Sequence, residues 1–361
     1  MQAATMNRSV QILFLFFLFF GGLYFARAFL IPFTLAGIIS MLLLPLSQKI
    51  ESRGVSRPAA AFISLLVLIS VVAGLIFLLG WQISGLAKDL DQMKQQISQF
   101  VDQIKAFLNY KLGISGQQQQ KLLNPATGST SGMSQVLAGL MSFTVDFVLC
   151  IVYIFIFLYF RSHLKKFILK LVPDDEQEKT ETIIRDSTSV AHKYLSGLAI
   201  MIVMLWILYG IGFSIVGIRN AGFFAVLCGM LEIVPFVGNL LGTGITVLMA
   251  LSQGGGGGMA IGVFCTYLFV QFVQSYIIEP MVVGSEVNLN PLFTIVALVL
   301  GDAVWGVAGL VMAIPLLGIA KIICDNVDSL KPFGFLIGEE KGKKENTFFA
   351  RMKKMFKKDK P

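Results

Sequence analysis

Apolar runs of roughly helical-span length recur along this chain at residues 10–26, 29–46, 59–81, 136–160, 195–216 and 259–278. A helix rises about 1.5 Å per residue and the bilayer core is about 30 Å thick, so some twenty apolar residues suffice to cross it. The pattern therefore predicts six full transmembrane helices. Two further stretches, 221–252 and 290–325, are apolar for more than thirty residues yet are interrupted at their middles by glycine, proline and one acidic side chain. Each is too long for a plain span and suits two half-helices meeting inside the membrane. Irregular backbone at that depth survives only where protein or a water-filled cavity satisfies the freed groups, as in transporter sites. The fold class that follows is an all-α polytopic membrane protein with about eight hydrophobic segments, six full spans plus two broken or re-entrant ones.

Between the third and fourth runs the chain turns polar. Leu86, Leu90, Met93, Ile97, Phe100, Ile104 and Phe107 alternate steps of four and three, a heptad stripe that predicts a long extracytoplasmic amphipathic helix. Residues 113–132, with four consecutive glutamines, read as a flexible loop. Pro173, Asp174 and Asp175 start a helix before residues 176–194. The chain divides into N-terminal spans (1–82), the extracytoplasmic helix and loop (83–135), span four with its cytoplasmic connection (136–193), a transport core holding both broken segments (194–325) and a basic tail (326–361).

Composition agrees with this division: 55% of residues are hydrophobic and 14% charged, against about a quarter charged in a soluble domain. The net charge of +8 does not signal nucleic acid. From Lys341 onward nine basic residues oppose only Glu345 and Asp359, so almost all the excess sits in the tail. There Phe348, Phe349, Met352, Met355 and Phe356 recur at helical spacing, which fits either an amphipathic helix on anionic lipid or a disordered solubilising tail. Lys49, Arg53 and Arg57, then seven basic residues from Arg161 to Lys193, fill two short loops. The positive-inside rule makes these loops and both termini cytoplasmic. The four cysteines all lie in apolar segments without CxxC spacing and read as buried small hydrophobes. With only His163 and His192 for imidazole, neither a metal site nor a cofactor is expected.

Two topologies remain open. Each broken segment either crosses once, giving eight spans, or forms a re-entrant hairpin, one from each side, which makes residues 195–252 and 259–325 an inverted pair. Glu232 lies in LEIVPFVGNLLG, where Pro235 removes a backbone donor and Gly238 and Gly242 allow close approach. A carboxylate near mid-bilayer costs about 2.5–3.5 kcal/mol on insertion scales, so Glu232 is a functional candidate by default. Asp302, in VLGDAVWG, meets the same argument but could instead cap a half-helix among Gly301, Gly306 and Gly309. If both acids face one cavity, they suit exchange of protons or sodium. Gln271 and Gln274 share a face of their span, with Glu279 nearby beside Pro280. The glutamines can serve a polar solute or bond a neighbouring helix, and Glu279 reads equally as an interfacial acid.

The run YLSGLAIMIVMLWILYGIGFSIVGIRNAGFFAVLCGMLEIVPFVGNLLGT, with QSYIIEPMVVGSEVNLNPLFTIVALVLGDAVWGVAGLVMAIPLL after it, resembles the AI-2E (PerM) family of bacterial transporters. Glu232, Pro235 and Gly238 match one signature of that family; Pro280, Gly284, Leu289 and Pro291 match a second; Gly306, Gly309 and Pro315 match its last. Asn239, Asn290 and Asp302 depart from its usual proline, histidine and glycine. The resemblance implies an inner-membrane permease, with autoinducer-2 export or sodium or proton antiport as the activities linked to similar proteins.

The reading is a non-enzymatic, ion-coupled exporter of a small polar solute or cation, embedded in the lipid bilayer and expected to form homo-oligomers. Its transport candidates are Glu232, Asp302, Glu279, Gln271, Gln274 and Asn239, and its helix-breaking positions Pro235, Gly238, Gly242, Pro280, Gly306, Gly309 and Pro315. The alternatives are a scaffold assembled through the heptad stripe and, at a distance, an aspartyl protease. The second lacks the first glycine of its motif, Val299 standing there, and a Tyr-Asp partner.

Overall fold

Leu, Ile, Val and Phe dominate every predicted span, and a backbone in lipid must satisfy its own hydrogen bonds, so each apolar run closes into helix. A computed structural model describes residues 2–86, 131–234, 237–254, 256–282 and 289–339. The heptad stripe after Leu86, the tail from residue 340, Pro235 and Gly284 lie outside the described residues. The described chain is helical: α1 (Gln2–Phe25), α2 (Arg27–Glu51), α3 (Arg57–Leu86), α4 (Ser131–Lys170), α5 (Gln177–Val216), α6 (Ala221–Leu231), α7 (Val237–Ser252), α8 (Gly256–Val273), α9 (Glu279–Val282), α10 (Pro291–Trp305), α11 (Val307–Asn326) and α12 (Lys331–Ile337). A π-helical turn, Gln274–Ile278, joins α8 to α9.

Six described helices contain a stretch long and apolar enough to cross a membrane, beginning at Arg27, Arg57, Val145, Asp174, Gly257 and Val307. Five of these fall on runs expected to span; the sixth is the second arm of the last broken segment, and the first expected run lies within the 24 residues of α1. Span five and the helix before it also fuse into one rod of 40 residues, α5, which no proline interrupts. Large apolar side chains face outward along the spans, Phe17 at 77% and Ile215 at 81% exposure. In water such a surface would aggregate, whereas in lipid it is the solvated face. Cys265 lies on this outer face of α8 rather than in the core, while Cys150 and Cys228 are buried as expected.

Two apolar clusters hold the bundle together. Ala36, Leu65, Ile154 and Leu158 join α2, α3 and α4, while Leu205, Tyr209, Phe224, Met249 and Val263 join α5 to α8. Phe33 meets Tyr153 and Phe157 on α4, and Glu51 at the far end of α2 meets Arg161, so α2 and α4 run parallel. Small residues bring α8 against α5, Gly262 beside Val216 and Gly212 beside Thr266, and the two run antiparallel.

The 60 Å or so of α5 serves as a ruler for the broken segments. Its first turns carry the charged end of the molecule: Lys165 pairs with Glu181, and Lys179 with Asp328 at 3.5 Å. A hydrogen bond from Lys331 and the charge of Lys179 hold the Asp328 carboxyl below its usual range. The basic residues after α2, those after the apolar part of α4 and the segment after α11 thus share one end. At the other end α5 stops at Gly217, whose φ of 84° lets Ile218 N–H reach Phe213 O at 2.9 Å and Gly217 N–H reach Ser214 O at 3.1 Å. A left-handed conformation costs a residue with Cβ about 1–2 kcal/mol, so Gly217→Ala should lower the melting temperature of the purified protein by that equivalent. An unchanged melting curve would mean that the cap relaxes freely.

Both broken segments fold back on themselves, so neither crosses once as two half-helices end to end. In the first, Gly242 of α7 lies against Cys228 of α6, and the Gln253 side chain ties the base, accepting from Arg219 N–H at 2.8 Å. In the second, Gly309 of α11 lies against Gly301 of α10. Its base is at Asn290, whose N–H donates to Ile337 O at 2.8 Å. The first hairpin opens toward the end of α5 near Gly217, the second toward the charged end. Long helix then hairpin occurs twice, opening in opposite directions, the order required by the inverted-pair reading.

Candidate functional site

The first hairpin ends within the bundle. Eleven residues of α6 advance about 16 Å, half the thickness of a bilayer core, before the helix stops at Leu231. Glu232 N–H still donates to Cys228 O at 3.1 Å and Val234 N–H to Leu231 O at 2.9 Å, after which the chain turns into α7. Gly238 permits that turn: a Cβ there would collide with the Leu231 carbonyl. The turn leaves Glu232 at the hairpin tip, half-buried and facing α8.

Polar side chains from three helices converge there. Gln274 Nε2 donates to Glu232 Oε1 at 2.8 Å. Asn239, in the first turns of α7, donates to Gln271 on α8, and Gln271 Nε2 donates to Ser275 Oγ at 3.3 Å. From α5, the almost fully buried Tyr209 reaches Asn239 Oδ1 with its hydroxyl at 3.5 Å, the outer limit of a hydrogen bond. Gln274 begins the π-turn, a feature frequent at functional sites because the extra residue re-aims side chains.

Several polar atoms in this region are left over. Glu232 Oε2 and Gln274 Oε1 are buried without a partner, and so is Trp206 Nε1, whose ring lies over Gly229 of α6. A buried acceptor without a donor costs about 1–3 kcal/mol, more for a charge. Two such acceptors, one belonging to a carboxylate and the other to the amide bonded to it, form a place for a proton, a cation or a solute N–H or O–H. Among the described residues no group of three or more His, Cys, Asp or Glu side chains could hold a metal ion.

Of the candidates read from the sequence, the structure brings Glu232, Asn239, Gln271 and Gln274 together. It leaves Glu279 exposed beyond the π-turn, and Asp302 exposed on the other hairpin. Asp302 sits in the last turn of α10, where its backbone carbonyl accepts from Gly306 N–H at 2.8 Å, and α11 has no side-chain N-cap, so it caps no half-helix. The tip beside it reaches the far end of the bundle, Trp305 Nε1 donating to Leu23 O at 3.0 Å just before α1 ends. Gly306 forms the turn at that tip, and Gly309 the contact between the arms. Pro280 falls in α9, and α11 continues through Pro315. Tyr209 and Ser275 joined the site unforeseen; the spacing of Ser275 four residues after Gln271 is the signal that would have found it.

Similarity to known proteins extends over nearly the whole chain. The profile of the AI-2E family transporter family matches residues 13–329. The chain belongs to the AI-2E transporter family. Among its relatives, "Putative transport protein YrrI" of Bacillus subtilis is 21% identical over 317 residues, 82% of this chain and 86% of the relative. "Putative permease PerM" of Escherichia coli is 23% identical over 315 residues, 84% of this chain and 89% of the relative. A "Putative transport protein" of Borreliella burgdorferi is 26% identical over 199 residues, 54% of this chain and 55% of the relative. This AI-2E protein is thus a multi-pass membrane protein of a permease family, and the family match covers both hairpins.

Proposed function

We propose that this protein is a bacterial inner-membrane permease that exports a small polar solute, autoinducer-2-like in chemistry, or a cation, coupled to a proton or sodium gradient. One observation carries the reading: Glu232 Oε2 and Gln274 Oε1, adjacent through their hydrogen bond, are buried without donors at the tip of a hairpin that ends within the bundle. A carboxylate is retained at that depth only against a cost of about 2.5–3.5 kcal/mol on insertion scales, which favours a working role. The unpartnered indole N–H of Trp206 supports a solute with both donors and acceptors. The basic end of the bundle faces the cytoplasm by the positive-inside rule, so the first hairpin enters from outside and the second from within.

The test is flux in proteoliposomes under imposed proton and sodium gradients, comparing the protein with Gln274→Leu. This change keeps the volume of the side chain and leaves Glu232 Oε1 without its donor, so transport should fall about tenfold, the size of one charge-assisted hydrogen bond. Full flux by this variant would remove the Glu232–Gln274 pair from the transport path.

A further inference from the structure

A second polar feature lies far from the hairpin tip, at the charged end of the bundle. Between α2, α4 and α5 is a cavity of about 480 Å³. Its walls are apolar, formed by Met41, Leu44, Phe157 and Ile168, while Arg161 and Lys165 also border it. Arg161 stands one residue past Phe160, where the apolar run of α4 gives way to charge, which is the depth of lipid headgroups.

The Arg161 guanidinium is only partly used. Its Nη2 donates to Glu51 Oε2 at 2.5 Å, but its Nη1 is buried and has no acceptor. Glu51 is shared among several donors: Ser47 Oγ donates to its other oxygen at 3.3 Å, and Arg57 lies 3.9 Å from the oxygen that Arg161 holds. Lys165 is paired with Glu181. Three cations therefore face two carboxylates, leaving one positive charge and one buried guanidinium N–H beside an apolar groove. A planar guanidinium matches phosphate oxygens in geometry as well as charge.

We propose that this groove binds one anionic phospholipid. A phosphate oxygen accepts from Arg161 Nη1 once the guanidinium turns that nitrogen from its buried position toward the groove it borders, and an acyl chain lies along Met41, Leu44 and Phe157. The lipid so placed touches α2 and α4 on one side and α5 on the other, bridging the two apolar clusters of the fold. The site is independent of the transport reading, since it shares no residue with the hairpin tip.

The experiment is native mass spectrometry and thermal unfolding of the full chain, purified in detergent and titrated with phosphatidylglycerol, phosphatidylcholine or glycerol 3-phosphate. The expected result is one phosphatidylglycerol retained per chain at least tenfold more tightly than phosphatidylcholine, a rise in melting temperature with it, and no effect of glycerol 3-phosphate. Arg161→Lys keeps the ion pair with Glu51 but removes the planar fork and its free N–H; it should weaken retention about tenfold. Met41→Trp fills the groove while leaving every charge in place, and should weaken it at least as much. Equal retention of phosphatidylcholine, equal protection by glycerol 3-phosphate, or unchanged retention in either variant overturns the proposal.

Discussion

Glu232→Gln is expected to lower coupled flux at least tenfold, and toward a hundredfold, while raising the thermal stability of the protein. The opposite signs come from one physical cause. Gln has the shape of Glu and still offers an oxygen to Gln274 Nε2, so the hairpin tip keeps its 2.8 Å hydrogen bond. What disappears is the charge, and with it the cost of holding a carboxylate away from water, which should stabilise the fold by about 1–2 kcal/mol. Under the proposed mechanism the same loss removes the group that would bind the coupling ion, and a hydrogen bond or ion contact to a charged partner contributes about 1.5–3 kcal/mol. That range converts to a factor of about ten to a hundred or more. Flux into proteoliposomes and a melting curve on the same preparation check both halves. Retained flux excludes Glu232 from the mechanism; a fall in both flux and stability would assign the carboxylate to holding the hairpin together.

The two interruptions were legible in the sequence because glycine, proline and acids break runs that are otherwise uniformly apolar, but whether each segment crosses or folds back was left open, since both give helix in lipid. Four candidate polar residues were legible for a related reason: a polar side chain in such a run stands out, and Gln271 and Gln274 fall on one helical face. Depth was not legible. The insertion cost that singles out Glu232 applies to Asp302 only if both lie at mid-membrane, and the tertiary fold sends the second tip to the level of Leu23 instead. Nor could spacing alone reveal the π-turn at Gln274, since a single extra residue in a helical turn leaves no periodic mark in so apolar a run. Tyr209 remained hidden because a tyrosine within an apolar stripe reads as core, and most of its ring is core, stacked on Phe213.

That difference in depth bears on how the two halves can work. The arms of the first hairpin have 11 and 16 residues, about 16 and 24 Å, too short to cross. Those of the second have 15 and 20, about 22 and 30 Å, and its tip reaches the opposite end. The short hairpin carries the unpartnered carboxylate oxygen of Glu232, so the proposed binding chemistry lies at the tip of the element too short to cross. The long hairpin carries no such unpartnered group among the described residues, and the close backbone packing of Gly301 on Gly309 between its arms suits a support.

The support predicts the second large effect: Gly309→Val should cost about 3 kcal/mol or more and remove most folded protein from the membrane. A Cβ built on Gly309 falls on the Gly301 carbonyl, and one built on Gly301 lies 2.6 Å from Gly309 O and 3.4 Å from Ala313 Cβ. These are backbone atoms of two helices, so no rotamer change relieves the clash and α10 must separate from α11. In lipid the arms are held by close packing without a hydrophobic drive, and separation forfeits most of it. Gly222→Ala, on an outward face of α6 where nothing lies within 4 Å, is the control. It should leave stability unchanged or raise it by about 0.5–1 kcal/mol through helix propensity. Comparing the melting temperatures and folded yields of the two variants separates a clash between the arms from a general intolerance of added methyl groups; equal behaviour would mean that the hairpin arms have room to part.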